Sequence, residues 1–366
     1  MLKIFETCLK QSTRHNSSLR NCFITLKRTN NANVHRNFST ISKIPNHCVY
    51  EDVRSKFNSN GKTTGSARNK MLFAVSVAGL LKFLGLAEEE EESELMQILK
   101  RGELSYRRQE FDKSERIFHV ALRLAQELQN ENAITFIYDR LANVAFESNQ
   151  FEKARKLFVD VLNRLFQKGM KEDDLTVIHI SFKLAKIFEH SKDYFGAHSG
   201  YDFCFQKLEP KLNDQNEEYE DALALYKVLL NGYAYFNYNV GQLNKALELF
   251  KKAYDVNRQI YGEKHEDNVL MLNNLGTIYK HKGDMNTAIS YFHEAEKLGK
   301  LLPEMENFSF IYLNLGYCYM ETHVLNEALK YCQLAQRNAV HHDYQEGIKE
   351  SEDCIAKVKH LTTKIQ

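Results

Sequence analysis

One recurring pattern constrains this chain more than any other feature. In LNNLGTIYKHKGDMNTAISYFHEAEKL, residues 272–298, Leu275, Gly276, Tyr279, Gly283, Ala288, Phe292 and Ala295 stand at spacings of one, three, four, five, four and three. The same offsets recover Leu315, Gly316, Tyr319, His323, Ala328, Cys332 and Ala335. Upstream they recover Tyr233, Ala234, Asn237, Gly241, Ala246, Phe250 and Ala253, and before those Leu184, Ala185, Phe188, Lys192, Ala197, Tyr201 and Cys204. A further unit holds Leu141, Ala142, Ala145, Asn149, Ala154, Phe158 and Val161, and a looser first one holds Gly102, Ser105, Ser114, Phe118 and Ala121. An amphipathic helix needs apolar residues at i, i+3 and i+4, but neither a glycine nor alanines. Small residues at fixed places imply pairs of helices in close approach, repeated along the chain, with the aromatics filling the space left over.

These units resemble the tetratricopeptide repeat, a pair of antiparallel helices, because several of them agree in register. The family's usual tryptophan is missing, since the chain has no Trp. Small second-helix residues fall at 114, 154, 197, 246, 288 and 328, so successive units run 40, 43, 49, 42 and 40 residues, against about 34 in the standard unit. The added residues follow the second helix, as in NRQIYGEKHEDNVLMLNN (257–274), which implies longer helices. That length, and the YGxxH connection from Tyr261 to His265, resemble the branch typified by kinesin light chains.

The resemblance implies an all-α fold. It is a right-handed superhelix (an α-solenoid) of about six helix pairs over 95–360, closed by a C-terminal capping helix near 344–359. Residues 209–221 inside the 49-residue interval then form a longer helix end or a loop. Only three prolines and sixteen glycines interrupt the chain, which suits helices. The expected repeat core is Ala142, Ala154, Phe158, Ala185, Ala197, Tyr201, Ala234, Ala246, Phe250, Gly276, Tyr279, Ala288, Phe292, Gly316, Tyr319 and Ala328.

In such a stack the first helices line an inner wall. Taking the Gly276-type residue as position eight, positions five, nine and twelve point inward. They give Asp139, Asn143 and Phe146; Phe182, Lys186 and Glu189; Asn231, Tyr235 and Tyr238; Asn273, Thr277 and Lys280; and Leu313, Tyr317 and Met320. Asn231 and Asn273 hold equivalent places in adjacent units and can pair with the backbone of an extended peptide. Tyr235, Tyr238 and Tyr317 offer broad contact surface with few rotatable bonds. The partner-binding groove expected from these positions comprises Asp139, Asn143, Lys186, Asn231, Tyr235, Tyr238, Asn273, Lys280 and Tyr317. Arg140, Lys183 and Lys186 do not reproduce the family's carboxylate clamp, which argues against chaperone C-terminal tails as ligands.

The net charge of +1 hides an asymmetry. Residues 1–70 carry thirteen Lys/Arg against Glu6, Glu51 and Asp52, whereas the remainder carries 36 basic and 45 acidic residues. No overall basic character points to nucleic acid. A basic, Ser- and Asn-rich start without a continuous apolar stretch suits a mitochondrial transit peptide and linker over 1–70, with RNFST (36–40) resembling a matrix-peptidase site. MLFAVSVAGLLKFLGL (71–86) is a short apolar segment with Arg68 and Lys70 before it and an acidic linker, 87–94, after it. At 1.5 Å per residue it reaches about 24 Å as a helix, short of the ~30 Å hydrocarbon core. Three roles are open to it: a short inner-membrane span, an interfacial helix or the first helix of the soluble domain. As a span, its charge bias leaves the rest of the protein on the side opposite the basic flank.

Signatures of catalysis are missing from the sequence. HExxH, GxSxG and Walker patterns do not occur, and SNGKTTG (59–65) lacks the spacing of a phosphate loop. His281, His293 and His323 are too scattered for a metal motif, and His341 and His342 are adjacent, so they point apart on a helix. Cys8, Cys22 and Cys48 lie in the basic start, Cys204 and Cys332 at repeat-core positions, and Cys318 and Cys354 without pair spacing. All four later cysteines are expected as buried thiols. Neither an enzyme activity nor a cofactor is expected.

The sequence between the repeat positions is more specific. ALRLAQELQNENAITFIYDRLANVAFESNQFEKARKLF (121–158), GMKEDDLTVIHISFKLAKIF (169–188) and YDFCFQKLEPKL (201–212) resemble a mitochondrial tetratricopeptide family that serves respiratory complex III. That resemblance spans about 88–360. It implies binding to the assembled complex, maintenance of its activity and clearance of N-terminal fragments of the Rieske iron–sulfur subunit. It also implies cutting by an inner-membrane rhomboid protease near 71–86, and a soluble domain in the intermembrane space, with the matrix as the other side. Two alternatives stay open: a kinesin-light-chain-like cargo adaptor, and a cofactor of a mitochondrial protease without stable attachment to complex III.

Overall fold

The computed structural model describes residues 94–213, 218–302 and 308–365. The transit-like start with its three cysteines, SNGKTTG, the apolar segment 71–86 and the acidic linker up to residue 93 lie outside the described residues. Among the described residues the chain forms thirteen α-helices and no strands. They are α1 (Glu94–Arg107), α2 (Phe111–Glu127), α3 (Glu131–Glu147), α4 (Phe151–Gln167), α5 (Leu175–His190), α6 (Tyr194–Leu208), α7 (Tyr219–Asn239), α8 (Leu243–Tyr261), α9 (Glu266–His281), α10 (Met285–Gly299), α11 (Ser309–Glu321), α12 (Leu325–His341) and α13 (Gln345–Ile365). Six consecutive pairs, α1–α2 to α11–α12, stack with α13 closing the C-terminal end, the all-α repeat architecture expected from the spacing.

The turns explain why the pattern repeats. Asn149, Lys192, Gly241, Gly283 and His323 occupy the same repeat position and all have φ between 59° and 82°. Each ends the first helix of its pair with a left-handed residue, and the following N–H reaches back into the last turn, as Gln150 N does to Ala145 O at 2.8 Å. Glycine takes this conformation without strain at Gly241 and Gly283, whereas Lys192 and His323 adopt it at a cost the stack offsets. Second helices then start on side-chain caps where the sequence supplies them: Asp193 accepts from Gly196 N at 2.9 Å and Asp284 from Thr287 N at 3.1 Å.

Packing inside a pair depends on the small residues. A Cβ on Gly276 would lie 2.7 Å from the Phe292 ring, and one on Gly102 would lie 2.7 Å from the Phe118 ring. Each aromatic thus sits directly on the glycine of its own pair as well as facing the next unit. The expected core alanines and Phe158, Tyr201, Phe250 and Phe292 are all buried, and so are Gly276 and Gly316. Tyr279 and Tyr319 are half-buried. Tyr319 accepts or donates at 2.9 Å with His293 Nε2, and Tyr279 stacks on Tyr291 at 5.4 Å.

The two irregular connections also resolve. After α8, Gly262 turns at φ +77°, Tyr261 stacks on His265 at 4.3 Å, and the His265 ring accepts from Asp267 N to cap α9. Asn268 holds the turn by donating to Gly262 O and Glu263 O. The 49-residue interval is used by a short 3-10 helix, Glu209–Leu212, and by α7, which at 21 residues exceeds α3 or α5. The cap extends beyond the expected end at 359, to Ile365.

One expectation is corrected. Cys332 and Cys354, expected as two unrelated buried thiols, are joined as a disulfide between α12 and α13, with 5.8 Å between their Cα atoms. Antiparallel neighbours bring these two residues, 22 apart in sequence, face to face. Cys204 and Cys318 are free and buried. No helix among the described residues is long and apolar enough to cross a membrane.

Candidate functional site

Consecutive first helices are tied to one another by side chains at the positions singled out above, so they form a single wall running from α1 to α13. In its N-terminal half the ties are ionic and buried. Arg140, 2% exposed, is ion-paired with its neighbour Asp139, itself 2% exposed, and its Nη1 approaches Glu103 Oε2 of α1 at 4.0 Å. Asn143 Nδ2 donates to Asp139 Oδ2 at 3.0 Å and to Asp139 O at 2.6 Å. Lys183 of α5 donates to Asn143 Oδ1, completing a relay from α1 through α3 to α5.

Burial sets the chemistry of this relay. It lowers the Lys183 ammonium to about 8, with Asp139 and then Glu147 opposing the shift. Burial, followed by the Glu147 carboxylate, raises the Tyr106 phenol well above its ordinary value. Asp139 and Asn143, expected on the open wall, therefore spend their polar groups inside the fold. Such a network is demanding: each ion stays only because the others do. Lys186, the remaining expected residue of this half, is half-buried and pairs with Glu189 of its own helix at 3.5 Å.

Between the halves the joint is apolar. Gly232 of α7 meets the Phe182 ring of α5, where a Cβ would stand 2.8 Å away. Beyond it α7 and α9 share a half-buried ion pair, Lys227 Nζ to Asp267 Oδ2 at 2.8 Å, and neutral hydrogen bonds continue the wall. Asn274 Nδ2 of α9 donates to the Tyr235 hydroxyl of α7 at 2.8 Å, while the Tyr235 ring lies edge-on to Phe250 at 5.0 Å. Asn314 Nδ2 of α11 donates to Asn273 Oδ1 at 2.9 Å, both side chains buried. Asn273 thus links units, whereas the Asn231 Oδ1 atom is buried with no hydrogen-bond partner.

Over this layer lies a row of half-exposed aromatic and basic groups. Tyr238 of α7 meets His281 of α9 edge-on at 5.5 Å, and burial together with Lys280 lowers the His281 imidazole. Lys280 Nζ stands 5.2 Å from the Tyr317 ring centre, and Lys357 Nζ of α13 stands 5.6 Å from the same ring. One tyrosine between two ammonium groups is a surface suited to acidic and aromatic side chains. At its end Met320, Glu321, Lys357, His360 and Leu361 line a cavity of about 390 Å³.

Of the expected groove residues, the structure brings Tyr238, Lys280 and Tyr317 onto this half-exposed row and places Asn231, Tyr235 and Asn273 beneath or beside it. It also adds Lys357 and His360, which the repeat positions did not point to because α13 stands outside the repeat. Among the described residues no group of three or more His, Cys, Asp or Glu side chains could hold a metal ion.

Residues 227–300, covering most of α7 to α10, match the tetratricopeptide repeat family. The chain is 32% identical over 292 residues to the mitochondrial tetratricopeptide repeat protein 19 homolog of Drosophila melanogaster, which covers 79% of each chain. It is 32% identical over 262 residues to the mitochondrial tetratricopeptide repeat protein 19 of Rattus norvegicus, covering 68% of this chain and 72% of the relative. The Homo sapiens protein of the same name is 31% identical over 67% of this chain and 69% of its own. Two solved structures share the fold. A signal transduction ATPase with a tetratricopeptide repeat sensor from Pyrococcus horikoshii gives a TM-score of 0.53 at 20% identity, over 80% of this chain and 44% of that one. The APC/C hetero-tetramer Cut9–Hcn1 gives 0.50 at 11% identity, over 78% and 48%.

Proposed function

Because this chain belongs to the mitochondrial tetratricopeptide repeat protein 19 family, we propose that it is a non-catalytic binding factor of respiratory complex III. In this reading it grips a protein segment on the first-helix wall, maintains the activity of the complex and assists removal of Rieske iron–sulfur subunit N-terminal fragments. The soluble repeats work in the intermembrane space, and a rhomboid protease of the inner membrane acts on the segment before them. The observation that carries the binding role is the row Tyr238, Lys280, Tyr317 and Lys357, where half-exposed rings and the Lys280 ammonium meet the exposed Lys357, itself paired with Asp353 of its own helix. Motor-linked cargo binding finds no support, since the relatives at 31–32% identity are all named mitochondrial.

Crosslinking in intact mitochondria, read with native gels, tests this reading. Lys280 and Lys357 should crosslink to complex III subunits, and the protein should co-migrate with the complex. Crosslinks confined to a protease, with no co-migration, would replace the reading by that of a protease cofactor. An Asn231→Ala/Asn273→Ala variant that folds and keeps full affinity would remove those two asparagines from the contact.

A further inference from the structure

We propose that Cys332 and Cys354 are an oxidative modification site, closed by a dithiol–disulfide oxidoreductase, and that the resulting bond locks the packed capping helix onto the last repeat. The proposal does not rest on the complex III reading.

The capping helix packs on both α12 and α11, with half-buried Ile355 against the core. Its 21 residues bury a stripe at Gly347, Ser351, Cys354 and Val358. These stand one or two helical turns apart and so share one face, but only Val358 is a larger apolar residue. As the terminal element of the stack it is still the first to open. Yet the two cysteines are fully buried, 0% exposed, with Cα atoms 5.8 Å apart, within the ordinary range for a bridge. A third helix makes room for them. Gly316 of α11 faces both sulfurs, and a Cβ there would lie 2.8 Å from Cys332 Sγ and 3.3 Å from Cys354 Sγ. Near the turn, a Cβ on Gly347 would stand 3.1 Å from Ala339 Cβ, so the helices already approach closely beside the pair.

Because both sulfurs are buried, oxidation proceeds while α13 is open. The Cys354 thiolate attacks the disulfide of the oxidoreductase, forming a mixed disulfide and releasing one thiolate on the enzyme. The Cys332 thiolate then attacks Cys354 Sγ, forming the Cys332–Cys354 bond and releasing the enzyme's second thiolate. Two electrons pass to the oxidoreductase, which leaves as a dithiol, and the two cysteine protons leave to solvent or to its thiolates. This exchange belongs to an oxidising compartment. The loop it closes restricts opening of α13 by a factor on the order of a hundred.

The test uses the full chain recovered from mitochondria under acid trapping. Alkylation of the denatured protein without reductant should label Cys204 and Cys318 but leave Cys332 and Cys354 unmodified, and digestion should yield the two as one crosslinked peptide pair. On the native protein, dithiothreitol should speed hydrogen exchange in α13 about a hundredfold, leave α3 and α5 unchanged, and have no effect on α13 of Cys354→Ala. If that variant fails to fold, the wild-type comparison with and without dithiothreitol decides alone. Alkylation of Cys332 and Cys354 before reduction, or exchange in α13 that ignores dithiothreitol, would overturn the proposal.

Discussion

The N-terminal and C-terminal halves of the first-helix wall use equivalent repeat positions for opposite ends. At positions five and nine, α3 carries Asp139 and Asn143, both buried and bonded into the relay with Arg140 and Lys183. At positions five to nine, α7 and α9 join through an Asn–Tyr bond and α9 and α11 through an Asn–Asn bond; the Lys227–Asp267 ion pair between α7 and α9 is only half-buried, and position twelve leaves Tyr238 and Lys280 half-exposed. The lesson concerns charge. Ions inside a stack are held by one another, and the half that holds them turns those polar groups inward. In the half whose fully buried ties are neutral, the cations lie nearer the surface, as Lys227 and Lys280 do.

Breaking the ionic half should have the largest effect. Arg140→Ala leaves Asp139 buried without its cation and is expected to cost about 3–5 kcal/mol, read as a fall in the urea midpoint. The equivalent change in the C-terminal half, Lys280→Ala, should leave that midpoint almost unmoved. Equal losses from the two variants would abolish the contrast.

The pH dependence sharpens the comparison. Lys183 has a folded value of about 8, below its ordinary 10.5. Between these values the unfolded chain holds the proton and the folded chain does not, so this contribution to stability rises with pH through the window and is flat below it. Wild type should therefore gain on the order of 2–3 kcal/mol over Lys183→Met from pH 8 to pH 10, measured by paired urea titrations. A Lys280→Met control should show no such difference.

Gly276→Ala tests close packing in the C-terminal half. The new methyl would meet the buried Phe292 ring at 2.7 Å, with an expected loss of about 1–3 kcal/mol in thermal unfolding. Smallest in stability but most telling for function is Lys280→Ala. It removes a cation–π contact of about 0.5–1 kcal/mol at an exposed site, and should weaken partner binding a few-fold in a titration while the fold is unchanged.

Much of this was legible in advance, and particular residues show why. Ser114, Ala154, Ala197, Ala246, Ala288 and Ala328 marked the six second helices, because close approach admits only a small side chain there. Gly276 opposite Phe292 follows from the same geometry. Asp139 and Asn143 were expected on the open wall, and nothing in the spacing reported that they and Arg140 turn inward to meet one another. The pairing of Cys332 with Cys354 did leave a signal. They stand eleven residues either side of Asp343, whose φ of +49° marks the turn between α12 and α13, and equidistant residues on antiparallel helices meet. Lys357 gave no such sign, since a capping helix stands outside the repeat and has no equivalent position to compare.

Local spacing along the chain was enough to set helix count, pairing order and the small-against-aromatic contacts, because each is decided between neighbours in sequence. Which polar side chains are spent within the stack and which face a partner was decided only in three dimensions. Burial, charge balance and the meeting of α1 with α3, α5 with α7, and α11 with α13 depend on atoms that the chain brings together from far apart.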